Sequence, residues 1–375
     1  MSNRPKIKGT PRKTKSKTIE KLKSPIKLRF YHHIGDMAGC GTIRVIQPSM
    51  ILNNYFSRDH QFEAIYNNRY MPFQNAYKDN SVITFQRSAG PQQLDMIRHF
   101  KAMNPGKRCF YEIDDNLFDI PDWNFASGFY NKNSESIKTI LRIVDGVICS
   151  TEHLKTVMSP YNNNINVSPN HLPQFIWGDC EYKNFEEDIM YRQPRILYAG
   201  SHNHFDTKGS NKGDFSPALI DFVSKTLEKY QWMFVGGIPA SLKGNPKIIH
   251  HEWRPVIEYP RFLKSLNPDI CLAPLEDNRF NRSKSNIKAL ESVAMGVPLV
   301  ASDLEPYKGL PGTTNNDEEF ISLIEELAET PKLRRDMWAK QKEVLEDQLF
   351  WEDNDYKNLF HYVNQHLRLF GKELE

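Results

Sequence analysis

Apolar and polar positions along the chain fall into short blocks of two alternating kinds. Lys27 to Ile34 (KLRFYHHI), Ser81 to Gln86 (SVITFQ), Arg108 to Ile113 (RCFYEI), Asp145 to Ser150 (DGVICS) and Ile165 to Ser168 (INVS) are brief apolar runs, and each predicts a strand. Between them, apolar residues recur at three- and four-residue spacing, which predicts helices over Thr42–Tyr55, Pro91–Met103, Ser134–Val144 and, with Thr151 as cap, Thr151–Met158. Residues 174–194 are polar, acidic and irregular, as suits a linker. The alternation then resumes with strands at Arg195–Gly200, Trp232–Gly236, Lys247–His251, Ile270–Ala273 and Leu299–Ala301. Helices are predicted at Ser216–Lys229, Tyr259–Leu266, Lys284–Met295, Glu318–Leu327, Leu333–Leu349 and Trp351–Leu369. So regular an alternation predicts an α/β protein with parallel sheets in two domains.

Composition narrows the setting. At 375 residues, with 39% hydrophobic and 25% charged positions, the chain has the length and balance of a two-domain soluble protein. No apolar run approaches the roughly 18 residues of a membrane span, and the N-terminus carries no apolar signal core, so no membrane insertion is expected. Five scattered cysteines (Cys40, Cys109, Cys149, Cys180, Cys271) without CxxC spacing point to a reducing compartment such as the cytoplasm and to no zinc site.

The net charge of +3 hides an asymmetry. Residues 1–29 carry eleven Lys and Arg against Glu20, a charge of +10, which leaves −7 on the remainder. Residues 1–26, rich in Lys, Ser, Thr and Pro, read as a disordered basic tail. Such a tail fits nucleic acid, with Arg12, Lys13, Lys15 and Lys17 meeting phosphates. It equally fits an anionic membrane surface, or a solubilising role with no specific partner.

The most informative stretch is Asn281–Asp303 (NRSKSNIKALESVAMGVPLVASD). It predicts a polar turn, a helix capped by Ser283 or Ser285, a stop at Gly296 and Pro298, then a strand. A helix start facing a cleft favours phosphate, through free N–H groups and the dipole. Lys284 and Lys288 add charge there. Glu291, about two turns in, is placed to accept from ribose hydroxyls. The plain alternative is an amphipathic helix with solvated lysines.

The string Lys284, Ser285, Lys288, Glu291, Ala294, Gly296, Pro298 resembles the donor-binding segment of retaining glycosyltransferases of the GT-B fold, family 4 type. The commoner form has a glutamate eight positions before Glu291 that touches the sugar, and this chain has Ser283 there. Tyr111–Pro121 (YEIDDNLFDIP) resembles the D-x-D-D-x-L-F segment of the same group, with Glu112 in place of its leading aspartate. Gly200 and Ser201, followed by His202, His204 and Asp206, resemble its glycine–serine turn. The Pro169–Asn170–His171 run resembles the element closing its N-terminal domain.

The resemblance covers roughly residues 108–305. It implies two Rossmann-like domains facing a cleft, over 27–180 (acceptor) and 181–350 (donor), with the segment 351–375 returning to the first. It also implies a nucleotide-diphosphate sugar as substrate, a UDP-sugar foremost, and retention of configuration. Donor binding would then fall to Gly200, Ser201, Lys208, Ser283, Lys284, Ser285, Asn286 and Glu291, with Gly39 and Gly41 of the first glycine loop, which is otherwise only a tight turn. Lys288, Asp114 and Asp115 would be catalytic, and Asp114 and His171 would contact the acceptor. Read alone, the two aspartates equally cap a helix, and a lone histidine is more often structural.

Neither a metal nor another cofactor is expected, since the helix start and lysines would carry the diphosphate. The favoured acceptor is 5-hydroxymethylcytosine in DNA, as for bacteriophage enzymes that modify their own genomes. Transfer to a surface polysaccharide or lipid-linked glycan is the alternative. A non-catalytic sugar-nucleotide or nucleic-acid binding protein is a further one, hinted at only by Ser283. The pattern leaves the oligomeric state open.

Overall fold

The computed structural model describes residues 28–56, 62–67, 81–182, 192–206 and 208–369, so the basic tail with Arg12, Lys13, Lys15 and Lys17 lies outside the described residues. Six strands form the first sheet: β1 (Leu28–His33), β2 (Phe62–Asn67), β3 (Ser81–Gln86), β4 (Cys109–Ile113), β5 (Gly146–Cys149) and β6 (Ile165–Val167). Their order is β2-β1-β3-β4-β5-β6, and every pairing is parallel. The second sheet holds β7 (Arg195–Gly200), β8 (Gln231–Gly236), β9 (Ile249–His251), β10 (Ile270–Ala273) and β11 (Leu299–Ala301) in the order β11-β10-β7-β8-β9, again all parallel. β2 is an addition to the expected set. It is a sheet-edge strand, FEAIYN, with polar residues at Glu63 and Asn67 among the apolar ones.

Both faces of each sheet are covered, so the strands are apolar on both sides. In the second sheet, Leu197, Met233, Val235 and Cys271 pack towards the Ile287–Ala294 and Pro331–Leu345 helices. Ile196, Tyr198, Trp232 and Phe234 pack the opposite way, against the Pro217–Lys225 and Asp317–Glu329 helices. In the first sheet, Phe85, Tyr111 and Val147 meet the Pro91–Met103 and Ser127–Ile143 helices. The other face, with Phe30, Val82, Phe110 and Ile148, is covered by Leu359, Tyr362, Val363 and Leu367 of the last helix, Asp353–Arg368. The chain therefore returns to its first domain. At the crossing, Leu172 pairs with Phe350: its N–H donates to Leu349 O at 2.9 Å, and its carbonyl accepts from Trp351 N at 3.0 Å.

Several helix boundaries differ from expectation. The helix after the first loop contains a π-helical stretch, Thr42–Ile46, before its regular part at Gln47–Phe56. The Ser127–Ile143 helix starts seven residues earlier than its periodicity marks, because its first turns present Phe129 and Tyr130 to the cleft. Thr151 does cap its helix, accepting from Leu154 N at 3.1 Å.

Candidate active site

The C-terminal ends of both sheets point into one cleft of about 660 Å³, within the range of ligand sites. On the second-domain side the Ile287–Ala294 helix presents Lys288 and Glu291, with Lys284 in the turn before it. The expected serine caps are not used. Asn278 caps a short helix at Arg279–Arg282, Lys284 N closes a turn on Asn281 O, and the longer helix starts at Asn286 with no side-chain cap. Its first-turn N–H groups therefore have no serine oxygen competing for them. Gly296, with φ of 78°, ends the helix as foreseen.

The two lysines are held differently. Lys288 Nζ donates to Ala199 O at 2.9 Å and lies 4.1 Å from the centre of the Tyr198 ring. A Cβ on Gly200 would come within 2.6 Å of that nitrogen, so only glycine leaves room for the ammonium there. Burial lowers the Lys288 pKa from the ordinary 10.5 to about 8. Lys284 reaches across the cleft instead, with Nζ 3.8 Å from Asp115 Oδ1. Burial also pushes the Glu291 carboxyl up to about 7. The buried hydroxyl of Tyr259, which faces the same cleft, has no hydrogen-bond partner.

Beyond β7 the chain loops over the cleft. The His204 ring Nδ1 lies 2.5 Å from Asp214 Oδ2. Asp214 is 4% exposed, and its other oxygen accepts from Asn281 Nδ2 at 2.6 Å and Glu276 N at 3.1 Å. Gly236, with φ of 85°, carries the next loop against Gly200 O too closely for any side chain. Burial, aided by Lys288 and Lys284, lowers the His204 pKa to about 4, so the imidazole is neutral. Burial alone would raise Asp214, but the hydrogen bond from His204, the charge of Lys284 and the Glu276 N–H leave it below the ordinary carboxylate range.

The first-domain wall is organised by Arg87, which follows β3 with φ of 48°. Its Nη1 donates to Cys40 Sγ at 2.7 Å, Asp115 Oδ2 at 2.9 Å and Asp114 Oδ1 at 3.2 Å. The thiol and the two carboxylates lie within 4.8 Å of one another, a grouping that can attract a metal ion. Here the guanidinium already supplies the positive charge among them. Burial pushes both carboxyls up. For Asp115, Lys284 and then Arg87 more than reverse this, whereas Asp114 stays raised. Behind this wall Arg44, 4% exposed, binds Glu112 Oε1 at 2.5 Å and Asn170 Oδ1 at 2.7 Å. Asn170 Nδ2 passes the chain on to Ser285 Oγ at 2.7 Å, in the other domain.

Gly39, Asp114, Asp115, Gly200, Ser201, Lys284, Ser285, Lys288 and Glu291 thus gather on one cleft. Others of the predicted set stand apart. Ser283 is buried and donates to Arg279 O at 3.0 Å. Lys208 is exposed on a turn outside the cleft lining. Gly41 is buried where a Cβ would strike Asp36 O, so its smallness serves local packing. His171 is buried, binds Gln348 O at 2.7 Å through Nδ1 and packs edge-on to Trp351, all outside the cleft lining. Asn286 donates to Gln348 Oε1 at 2.9 Å and lines a separate polar groove. The roles of Arg87, Asp214 and Tyr259 were not legible, since each depends on contacts between distant segments.

No protein-family model matches the chain, and no curated protein sequence matches it. Solved structures do. The chain is similar to sucrose-phosphate synthase from Thermosynechococcus elongatus, with 12% identity over 92% of this chain and 99% of that one and a TM-score of 0.55. Trehalose 6-phosphate synthase from Burkholderia multivorans is similar at 9% identity, over 92% and 99% of the two chains, with a TM-score of 0.56. An alpha-glucosyltransferase solved with UDP and a 13-mer DNA containing an HMU base is similar at 11% identity, over 92% and 100%, with a TM-score of 0.58. The shared architecture is the GT-B fold.

Proposed function

We propose that this chain is a retaining glycosyltransferase that moves a sugar from a UDP-sugar to a hydroxymethylated pyrimidine in DNA, with 5-hydroxymethylcytosine favoured. The observation that carries the transferase reading is one helix start with Lys284, Lys288 and Glu291 facing a cleft between two Rossmann-like sheets. The diphosphate lies on the first turn of that helix, where N–H groups and lysines meet its charge. Glu291 accepts from the ribose. As the sugar–phosphate C–O bond breaks, Lys284 and Lys288 stabilise the charge on the leaving oxygen, worth a few kcal/mol per well-placed group. The acceptor oxygen forms its bond on the same face of the sugar, and its proton passes to the departing phosphate oxygen. This route needs no divalent metal, so activity should survive EDTA.

Three features support a DNA acceptor. The first 29 residues carry a charge of +10. Phe125 and Phe129, 59% and 55% exposed, line the cleft and offer faces on which a base can stack. A similar fold has been solved with UDP and modified DNA. The test is transfer of label from a panel of radiolabelled nucleotide-sugars to DNA containing 5-hydroxymethylcytosine or 5-hydroxymethyluracil, with unmodified DNA as control. Label on modified DNA alone supports the proposal. Intact donor binding with no label on any DNA would redirect the acceptor to a glycan or lipid.

A further inference from the structure

Ser283 stands where the resembled transferases place a sugar-touching glutamate, and it is turned into the protein interior. A hydrogen-bond acceptor for the sugar is thus missing from its usual position. The same region supplies one from elsewhere. His204 lines the cleft together with Lys284 and Lys288 on the phosphate side and Asp115 on the opposite wall. It therefore shares the cleft with the groups assigned to the leaving phosphate and to the acceptor wall, the space a transferred sugar enters.

Its protonation is set by neighbours. Asp214 Oδ1 is fully used by Asn281 Nδ2 and Glu276 N, so Oδ2 is left to accept Nδ1–H of His204. The second nitrogen, Nε2, then carries a free lone pair. We infer that His204 Nε2 accepts a hydrogen bond from a hydroxyl of the donor sugar, in place of the missing glutamate, and that Asp214 is the positioning residue that fixes this tautomer. The inference rests on the proposed use of a UDP-sugar and adds the residue pair that reads the sugar.

Asp214→Asn tests it sharply. The donors from Asn281 and Glu276 keep the amide oxygen on their side and turn the amide nitrogen towards His204 Nδ1. The ring proton must then move to Nε2, which becomes a donor. His204→Gln, with a carbonyl oxygen near the place of Nε2, is the conservative variant, and His204→Leu removes the acceptor. Calorimetric titration of the full chain with UDP and with UDP-glucose, UDP-galactose and UDP-N-acetylglucosamine separates the contributions. For whichever sugar nucleotide the wild type binds, Asp214→Asn and His204→Leu should weaken binding about tenfold or more, while UDP affinity stays within about twofold. His204→Gln should recover most of the loss. Nitrogen-15 spectra should show the wild-type proton on Nδ1 from about pH 5 to 8 and on Nε2 in Asp214→Asn. Equal weakening of UDP and UDP-sugar would mark the pair as structural, and no weakening of either would remove it from the site. Either result overturns the inference alone. A wild type that binds neither UDP nor any UDP-sugar would overturn the transferase reading and this inference with it.

Discussion

Lys288→Met should make the protein more stable and worse at its task. The drop from 10.5 to about 8 means that folding works against the charged ammonium. At about 1.4 kcal/mol per pH unit, that is about 3 kcal/mol at neutral pH. The side chain recovers part of this through its bond to Ala199 O, about 1 kcal/mol, and its contact with the Tyr198 ring, about 0.5–1 kcal/mol. Methionine fills similar space without the charge, so the variant should gain about 1–2 kcal/mol. The pH dependence follows from the sign. The folded pKa lies below the unfolded one, so between about 8 and 10.5 the unfolded chain binds more protons and wild-type stability rises with pH. The variant's advantage is therefore full below pH 8 and disappears towards 10.5. Urea unfolding of both proteins at neutral pH and near the top of that window measures it. Calorimetry with UDP measures the other half: a lost charge-assisted bond of about 1.5–3 kcal/mol weakens binding about 10- to 150-fold. A variant less stable than wild type at neutral pH, or one binding UDP within twofold, would refute the reasoning.

Glu291→Gln should narrow the preference for UDP over its 2′-deoxy counterpart to within about twofold, because the carboxylate is the group assigned to the ribose hydroxyls; competition binding with the two nucleotides measures this. Glu112→Gln leaves Arg44 buried without its counter-ion and should cost about 3–5 kcal/mol, seen as a lowered urea midpoint. Removing residues 1–26 takes away nine basic residues and should flatten the salt dependence of DNA binding, by about 0.9 in the logarithmic slope for each phosphate no longer met. UDP affinity in free wild-type protein should fall as pH rises through about 8, as Lys288 loses its proton, and a pH series of titrations follows it.

Ten of the eleven strands among the described residues were visible in the sequence because each centres on a short cluster of apolar or β-branched residues bounded by polar or turn residues. Phe62–Asn67 escaped because an edge strand mixes polar and apolar positions. The start of the phosphate-facing helix was misplaced for a different reason. Ser283 and Ser285 have the chemistry of caps, but Asn278 had already begun a separate short helix, and the four residues from 283 to 286 became the turn between the two. At the site, Lys288 and Glu291 were legible because helical spacing brings them to one face, and Lys284 because it stands in the turn just before that helix. The Arg87 cluster joins residues 47, 27 and 28 positions away, and His204–Asp214 depends on Asn281 to orient the aspartate. Such meetings are made by the fold, and no local pattern announces them.

The return of the last helix to the first sheet has a mechanical consequence. The polypeptide passes between the domains twice, and near the crossing Leu172 and Phe350 are pinned side by side. A body joined to another by a single tether can swing and spin in any direction. Two adjacent tethers leave one easy rotation, about the line through both, as in a door on a paired hinge. Any relative rotation of the two domains is thereby easiest about the Leu172–Phe350 crossing and resisted about other axes.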